Sequence, residues 1–238
     1  MTALASHNTP SYDNTDLPDV QAPAPWTLTG QGYLIALKMP EDVLDSCTFT
    51  PSSLRSSRRS KLSIAMLVNY DSSPVGPYQE LLFIPGSFQF NDARRASISR
   101  IYVSSQASVT NGRSNWGIPK DRCDFEINFN DSGTDSARLT ADNGDMIAEL
   151  VLSSMGPKLP LPTNLVPKAI RTLSQVWEGL EYTLTPSTTG HGKWAKVIDW
   201  KFNSDYFPDL AKGRCIAAIK ITDFTMVFPE PRIQSWRG

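Results

Sequence analysis

Large apolar side chains come in short runs or on alternate positions, and helical spacing is scarce. Residues 33–37, Tyr-Leu-Ile-Ala-Leu, predict a buried strand. Residues 62–70 predict another, ended by the turn-forming Asp71-Ser72-Ser73-Pro74. Residues 80–86 read as a buried strand closed by Pro85-Gly86. Residues 98–107 carry β-branched and aromatic character around Ile101-Tyr102-Val103. Residues 123–130 alternate more clearly, with Phe125, Ile127 and Phe129 on one face. Residues 137–140 and 146–153 predict a hairpin around Asp142-Asn143-Gly144-Asp145, because Asn-Gly supplies the turn. Residues 195–203 and 216–227 are the last strand candidates.

Helical signals are few. Pro40 and the acids after it suit a turn or two of helix over 40–44. Segments 167–175 and 205–212 are the other short candidates. Many short strands punctuated by Gly and Pro predict a mainly β (α+β) fold. The expectation is one closed or nearly closed, mostly antiparallel β-barrel with a few short helices, since closure removes exposed edges. Residues 1–25 are rich in Ser, Thr, Asn, Asp and Pro and read as a flexible N-terminal tail. The folded domain is expected over 26–238, without internal repeats.

Composition narrows the function classes. A net charge of −1 gives no global attraction for nucleic acid. The basic run Arg55, Arg58, Arg59 and Lys61 is broken by Ser and reads as a solvated loop. No run of apolar residues is long enough for a membrane helix and no secretory leader is visible, so the expected location is the cytoplasm. Cys47, Cys123 and Cys215 are odd in number and widely spaced, which suits idle thiols in a reducing compartment. Only His7 and His191 are available, too few for a His-rich metal site, and His191 reads as a loop residue. No metal or cofactor is expected.

Two segments concentrate Gly and Pro beside polar groups: 73–81, with Tyr78 and Glu80, and 111–121, with Arg113, Trp116 and Lys120. Each reads as a rigid loop holding a functional group at a barrel mouth. A Lys120 buried among Ile118, Pro119 and Trp116 would lose its charge more easily, and a neutral amine attacks carbonyl carbon. On the residues alone, a surface Lys120 paired with Asp121 is the competing reading.

Gly76-Pro77-Tyr78-Gln79-Glu80 and Gly112-Arg113-Ser114-Asn115-Trp116-Gly117-Ile118-Pro119-Lys120-Asp121 resemble the paired motifs of acetoacetate decarboxylase-like proteins. The resemblance implies that barrel fold and a Schiff-base role for Lys120. It also implies a pocket acid at Glu80 and substrate contacts from Tyr78, Arg113, Trp116 and Gln31. Homo-oligomers are common in that family. The motif also departs from the family. Asp121 replaces a second lysine and Ser114 a glutamate. Gln31 stands near the position of a carboxylate-binding arginine, and Ala65 near that of a second glutamate.

The expectation is therefore a cofactor-independent, lyase-type enzyme acting on a carbonyl-containing small molecule other than acetoacetate. Two alternatives stay open. One is a cyclase or isomerase, a pericyclase included, working on an apolar natural-product intermediate of secondary metabolism. The other is a small-molecule binding protein without chemistry. Neither nucleic acid nor membrane is an expected partner.

Overall fold

The structure, a computed structural model, describes residues 20–45, 49–59, 62–130, 133–161 and 168–238. The chain runs β1 (Trp26–Lys38), α1 (Glu41–Asp45), α2 (Ser52–Arg55), β2 (Ser63–Ser72), β3 (Tyr78–Ile84), β4 (Ser87–Gln89) and β5 (Arg94–Ala96). It continues through β6 (Arg100–Val103), α3 (Gln106–Trp116), β7 (Lys120–Arg122), β8 (Asp124–Asn128), β9 (Thr134–Thr140) and β10 (Met146–Pro160). It ends with α4 (Lys168–Arg171), β11 (Leu173–Trp177), β12 (Leu180–Leu184), β13 (Ser187–Phe202), β14 (Arg214–Phe228) and β15 (Arg232–Ser235).

Ten strands form one coiled, nearly closed sheet in the order β7-β6-β3-β2-β1-β14-β13-β10-β9-β8. A five-stranded sheet, β15-β12-β11-β5-β4, lies beside it. The expected mainly β, barrel-like architecture is present. Pairing is antiparallel except at β6–β7 and β5–β11.

Alternation places a core on each face of the large sheet. Tyr33, Ile35 and Leu37 of β1 join Leu67, Phe83, Leu139, Leu150 and Leu152 where the sheet curls onto itself. On the opposite face, Trp26, Leu28, Val68, Tyr70, Tyr78, Leu82 and Ile101 form a second core with Trp116, Ile118 and Leu184. This outer face is covered there by α3 and the smaller sheet.

Several expectations need correction. Segment 106–116, read partly as strand and partly as loop, is the helix α3. Ser105 caps it by accepting from the Ser108 N–H, and Gly117 ends it at φ 63°. Ser-rich, weakly amphipathic sequence hides it, because its stability comes from its ends and from Val109 and Trp116 in the second core. Segment 167–175 is helical only over Lys168–Arg171 before β11 begins, and Pro167 lies outside the described residues. Segment 205–212 contains only a 3-10 turn at Leu210–Lys212.

His191 sits on β13, paired in register with Asp223, rather than in a loop. Arg58 is ion-paired with Glu41 at 2.6 Å and Asp45 at 2.7 Å, so the basic run is not uniformly solvated. Lys61 and Cys47 lie outside the described residues, as does 1–19 of the expected tail. In the described part of the expected tail, Val20 and Ala22 contact α3. Asn111 donates to the Val20 carbonyl and accepts from the Ala22 N–H, each at 2.8 Å. No helix among the described residues is long and apolar enough to cross a membrane.

Candidate active site

Lys120 opens β7, one strand removed from β3 across the short β6. Its Nζ lies 3.1 Å from Glu80 Oε2, 3.0 Å from Ser108 Oγ and 3.4 Å from the Tyr78 hydroxyl. An ammonium carries three donors, and all three are used here. Tyr70 donates to the other Glu80 oxygen at 3.1 Å. Lys120 and Glu80 are each only 4% exposed.

The local sequence explains this convergence. Tyr78 and Glu80 are two apart on β3 and so share a face. Tyr70 pairs in register with Tyr78 across the turn at Gly76, and their rings lie 4.5 Å apart. Ser108 and Gly112 stand one helical turn apart on α3. Gly112 leaves the corridor for the Lys120 stem: a Cβ there would lie 2.7 Å from Lys120 Cδ.

The lysine therefore sits buried in a mostly apolar chamber. Trp26, Leu82, Ile98, Trp116, Ile118 and Phe228 line it with the polar cluster. Trp116 meets Trp26 edge-on at 5.0 Å and Phe228 at 5.5 Å. The open space is about 20 Å³, room for roughly one water molecule. Burial alone pushes the ammonium pKa down, but Tyr78 and the Glu80 carboxylate push it up, and the net direction is upward. The expected depressed lysine pKa is thus reversed in the resting chamber.

Asp121 does not meet Lys120. Strand alternation turns it away, and it pairs with Arg100 and, at 2.7 Å, with Arg113. Arg113 also stacks over Trp177 at 5.4 Å and lies outside the chamber. Gln31 and Ala65 are not brought to the cluster either. Gln31 pairs in register with Asn69 and Ala65 with Phe83, which puts both on the face opposite Val68 and Glu80. Of the six expected site residues, Lys120, Glu80, Tyr78 and Trp116 converge, and Arg113 and Gln31 do not. Tyr70 and Ser108 escaped sequence reasoning. Ser105 and Ser108 at a helix start, and the Tyr70–Tyr78 register across the turn, were the available signals.

No protein-family model matches the sequence, and no curated protein matches it. Solved structures do. An acetoacetate decarboxylase from Legionella pneumophila superposes with a TM-score of 0.68 at 11% identity, covering 99% of each chain. An acetoacetate decarboxylase-like enzyme from Sphingomonas wittichii gives 0.67 at 11% identity, over 92% of this chain and 96% of that one. The enduracididine biosynthesis enzyme MppR, bound to the condensation product of pyruvate and imidazole 4-carboxaldehyde, gives 0.61 at 13% identity over 91% of both. With two cores on the two faces of one coiled sheet and matches running along nearly the whole chain, the protein has the acetoacetate decarboxylase-like fold.

Proposed function

We propose that the chain is a cofactor-independent enzyme of lyase type, in which Lys120 forms an iminium with a neutral, apolar aldehyde or ketone. The observation that carries this reading is a buried lysine whose one charged neighbour among the described residues that line the chamber is Glu80. The step balances as ammonium plus carbonyl giving iminium plus water. A proton passes from Nζ to Glu80 over 3.1 Å, the amine bonds to the carbonyl carbon, a second nitrogen proton moves to the carbonyl oxygen to give the carbinolamine, and the proton held by Glu80 then returns so that the oxygen leaves as water. The iminium then draws electrons from the adjacent carbon.

Substrate charge follows from the lining. Lys120 and Glu80 cancel, and among the described residues no second cation lines the chamber. A β-keto acid would bury an uncompensated carboxylate, which is costly. This disfavours acetoacetate and favours aldol-type or dehydration chemistry. MppR, which has a similar fold, is seen in complex with the condensation product of pyruvate and imidazole 4-carboxaldehyde. Substrate enters by displacing the aromatic wall of Trp116 and Phe228. The cytoplasm suits a chain with Cys123 and Cys215 as free thiols.

The upward pKa of Lys120 favours a second reading. A standing ammonium beside Tyr78 is a hydrogen-bond donor, suited to a cyclase or isomerase acting on an apolar natural-product intermediate. Borohydride reduction with a panel of neutral aldehydes and ketones, followed by peptide mass mapping, decides between them. The imine reading expects a reduced adduct on Lys120 and none in Lys120→Met. Turnover of a substrate without any adduct would overturn it. A ligand recovered unchanged, with no turnover, would point to a binding protein.

A further inference from the structure

Carbinolamine formation takes two protons off the Lys120 nitrogen, and the Glu80 carboxylate holds one of them. The other has to reach the carbonyl oxygen, which is bonded to the carbon under attack. Direct transfer from nitrogen to that oxygen closes a small, strained ring. A hydroxyl that accepts from nitrogen while it donates to oxygen widens the ring. Besides Glu80, two hydroxyls reach Nζ: Ser108 Oγ at 3.0 Å and Tyr78 at 3.4 Å. Proton transfer works over about 2.6–3.2 Å between heavy atoms, which Ser108 satisfies and Tyr78 exceeds. Burial, against the pull of Lys120, also raises the Tyr78 pKa, so its phenol is a reluctant acid.

The local structure holds Ser108 in place for this. Its backbone N–H donates to the Ser105 cap at 3.3 Å, which fixes the first turn of α3. A helical serine often bonds back to a carbonyl of the preceding turn, as Ser114 does to Asn111 at 3.3 Å. Ser108 instead turns its oxygen to Nζ, and it is fully buried. As the acceptor of that bond it keeps its own hydrogen to give. It also stands at the positive end of the α3 dipole, which favours the negative charge that develops on a carbonyl oxygen under attack.

Resting on the imine chemistry proposed above, we infer that Ser108 is the proton relay of carbinolamine formation. Its Oγ takes a proton from the attacking nitrogen as its own hydrogen passes to the carbonyl oxygen. One N–H and one serine O–H bond break, a new serine O–H and the carbinolamine O–H form, and the serine ends unchanged. A purely structural Ser108 would only complete the donor set of a standing ammonium. The two roles predict opposite signs. Removing an acceptor destabilises the ammonium, lowers its pKa and so speeds attack by the freed amine. Removing a relay slows the reaction.

Time-resolved trapping of the full chain tests this. Each member of the neutral aldehyde and ketone panel, propanal first, is mixed with protein, reduced with borohydride at successive times and mapped by mass to Lys120. With the members that label the wild type, Ser108→Ala and Ser108→Val should label about a hundredfold more slowly, and Ser108→Thr within about threefold of wild type. Thr and Val share a shape and differ in the hydroxyl, and Val puts a methyl where a water could replace it. Should circular dichroism show that the larger side chains disturb α3, the sign of the change in Ser108→Ala decides. Equal or faster labelling in Ser108→Ala and Ser108→Val would overturn the relay and leave the imine chemistry standing. So would equal slowing in a folded Ser108→Thr, which would trace the loss to packing. A wild type that no member of the panel labels would remove the imine chemistry itself, and the relay with it.

Discussion

At the residue scale, the state of Lys120 is decided by opposing effects of comparable size. Burial favours the neutral amine, while Tyr78 and Glu80 favour the ammonium and prevail. A lysine pKa raised on folding stabilises the protein fully below the unfolded value near 10.5, and that contribution is lost as pH climbs through the folded value. Glu80→Gln removes the carboxylate and leaves burial less opposed, so the Lys120 pKa should fall. The pH midpoint for modification of Lys120 by a small acylating reagent should move down by about a unit or more. An unmoved midpoint would mean that Glu80 does not hold the charge. At pH 7 the same change should cost about 3–5 kcal/mol in denaturant unfolding, as expected when one partner of a buried pair is removed. A motif singled out Lys120 and Glu80 in the sequence, and the structure brings the two together. The motif could not give the direction of the pKa shift, which depends on burial being outweighed by Tyr78 and Glu80 brought to Lys120 from another strand.

At the element scale, α3 connects the motif to the chamber. Its last turn, ended by Gly117, aims Ile118, Pro119 and Lys120 back under the helix. Gly117 is needed twice over: its φ is positive, and a Cβ would lie 2.6 Å from Tyr182 Cδ2 and 2.9 Å from Trp177 Cβ. Gly117→Ala should therefore cost at least about 1–2 kcal/mol in thermal unfolding. It should also weaken imine trapping at Lys120, since the shift propagates three residues along a rigid segment. Normal stability with normal trapping would refute this account. Nine of the ten strands of the large sheet were legible from apolar runs, alternation and Gly-Pro punctuation, whereas β7 and the five short strands of the smaller sheet were not read as strands. The helix was not, because its helical preference is written in Ser105 and Gly117 rather than in an apolar stripe. Gln31 shows a related limit: a one-residue slip on a strand reverses its face, and an approximate alignment cannot resolve one residue.

At the scale of the whole molecule, the two faces of the sheet separate chemistry from architecture. The inner face carries a second buried lysine. Lys220 is ion-paired with Asp135, which also accepts from the Tyr33 hydroxyl at 2.6 Å and from the Asn130 N–H at 2.8 Å. These groups come from β14, β9 and β1, so the cluster ties one side of the curled sheet to the other. Burial, followed by Asp135, drives the Tyr33 pKa far above its ordinary value, which keeps the phenol a donor. Asp135→Ala leaves Lys220 without its counter-ion and should destabilise the fold by about 3–5 kcal/mol. Asp135→Leu with Lys220→Met replaces both charges by apolar groups and should recover most of that loss, as buried pairs exchanged for packing often do. In both variants, imine trapping at Lys120 per folded molecule should stay at the wild-type level, because the cluster lies on the other face from the chamber. Urea unfolding curves beside borohydride trapping make the comparison. Loss of trapping in the stable double variant would show that the two faces are coupled through the sheet, and that the inner lysine takes part in the chemistry assigned here to the outer one.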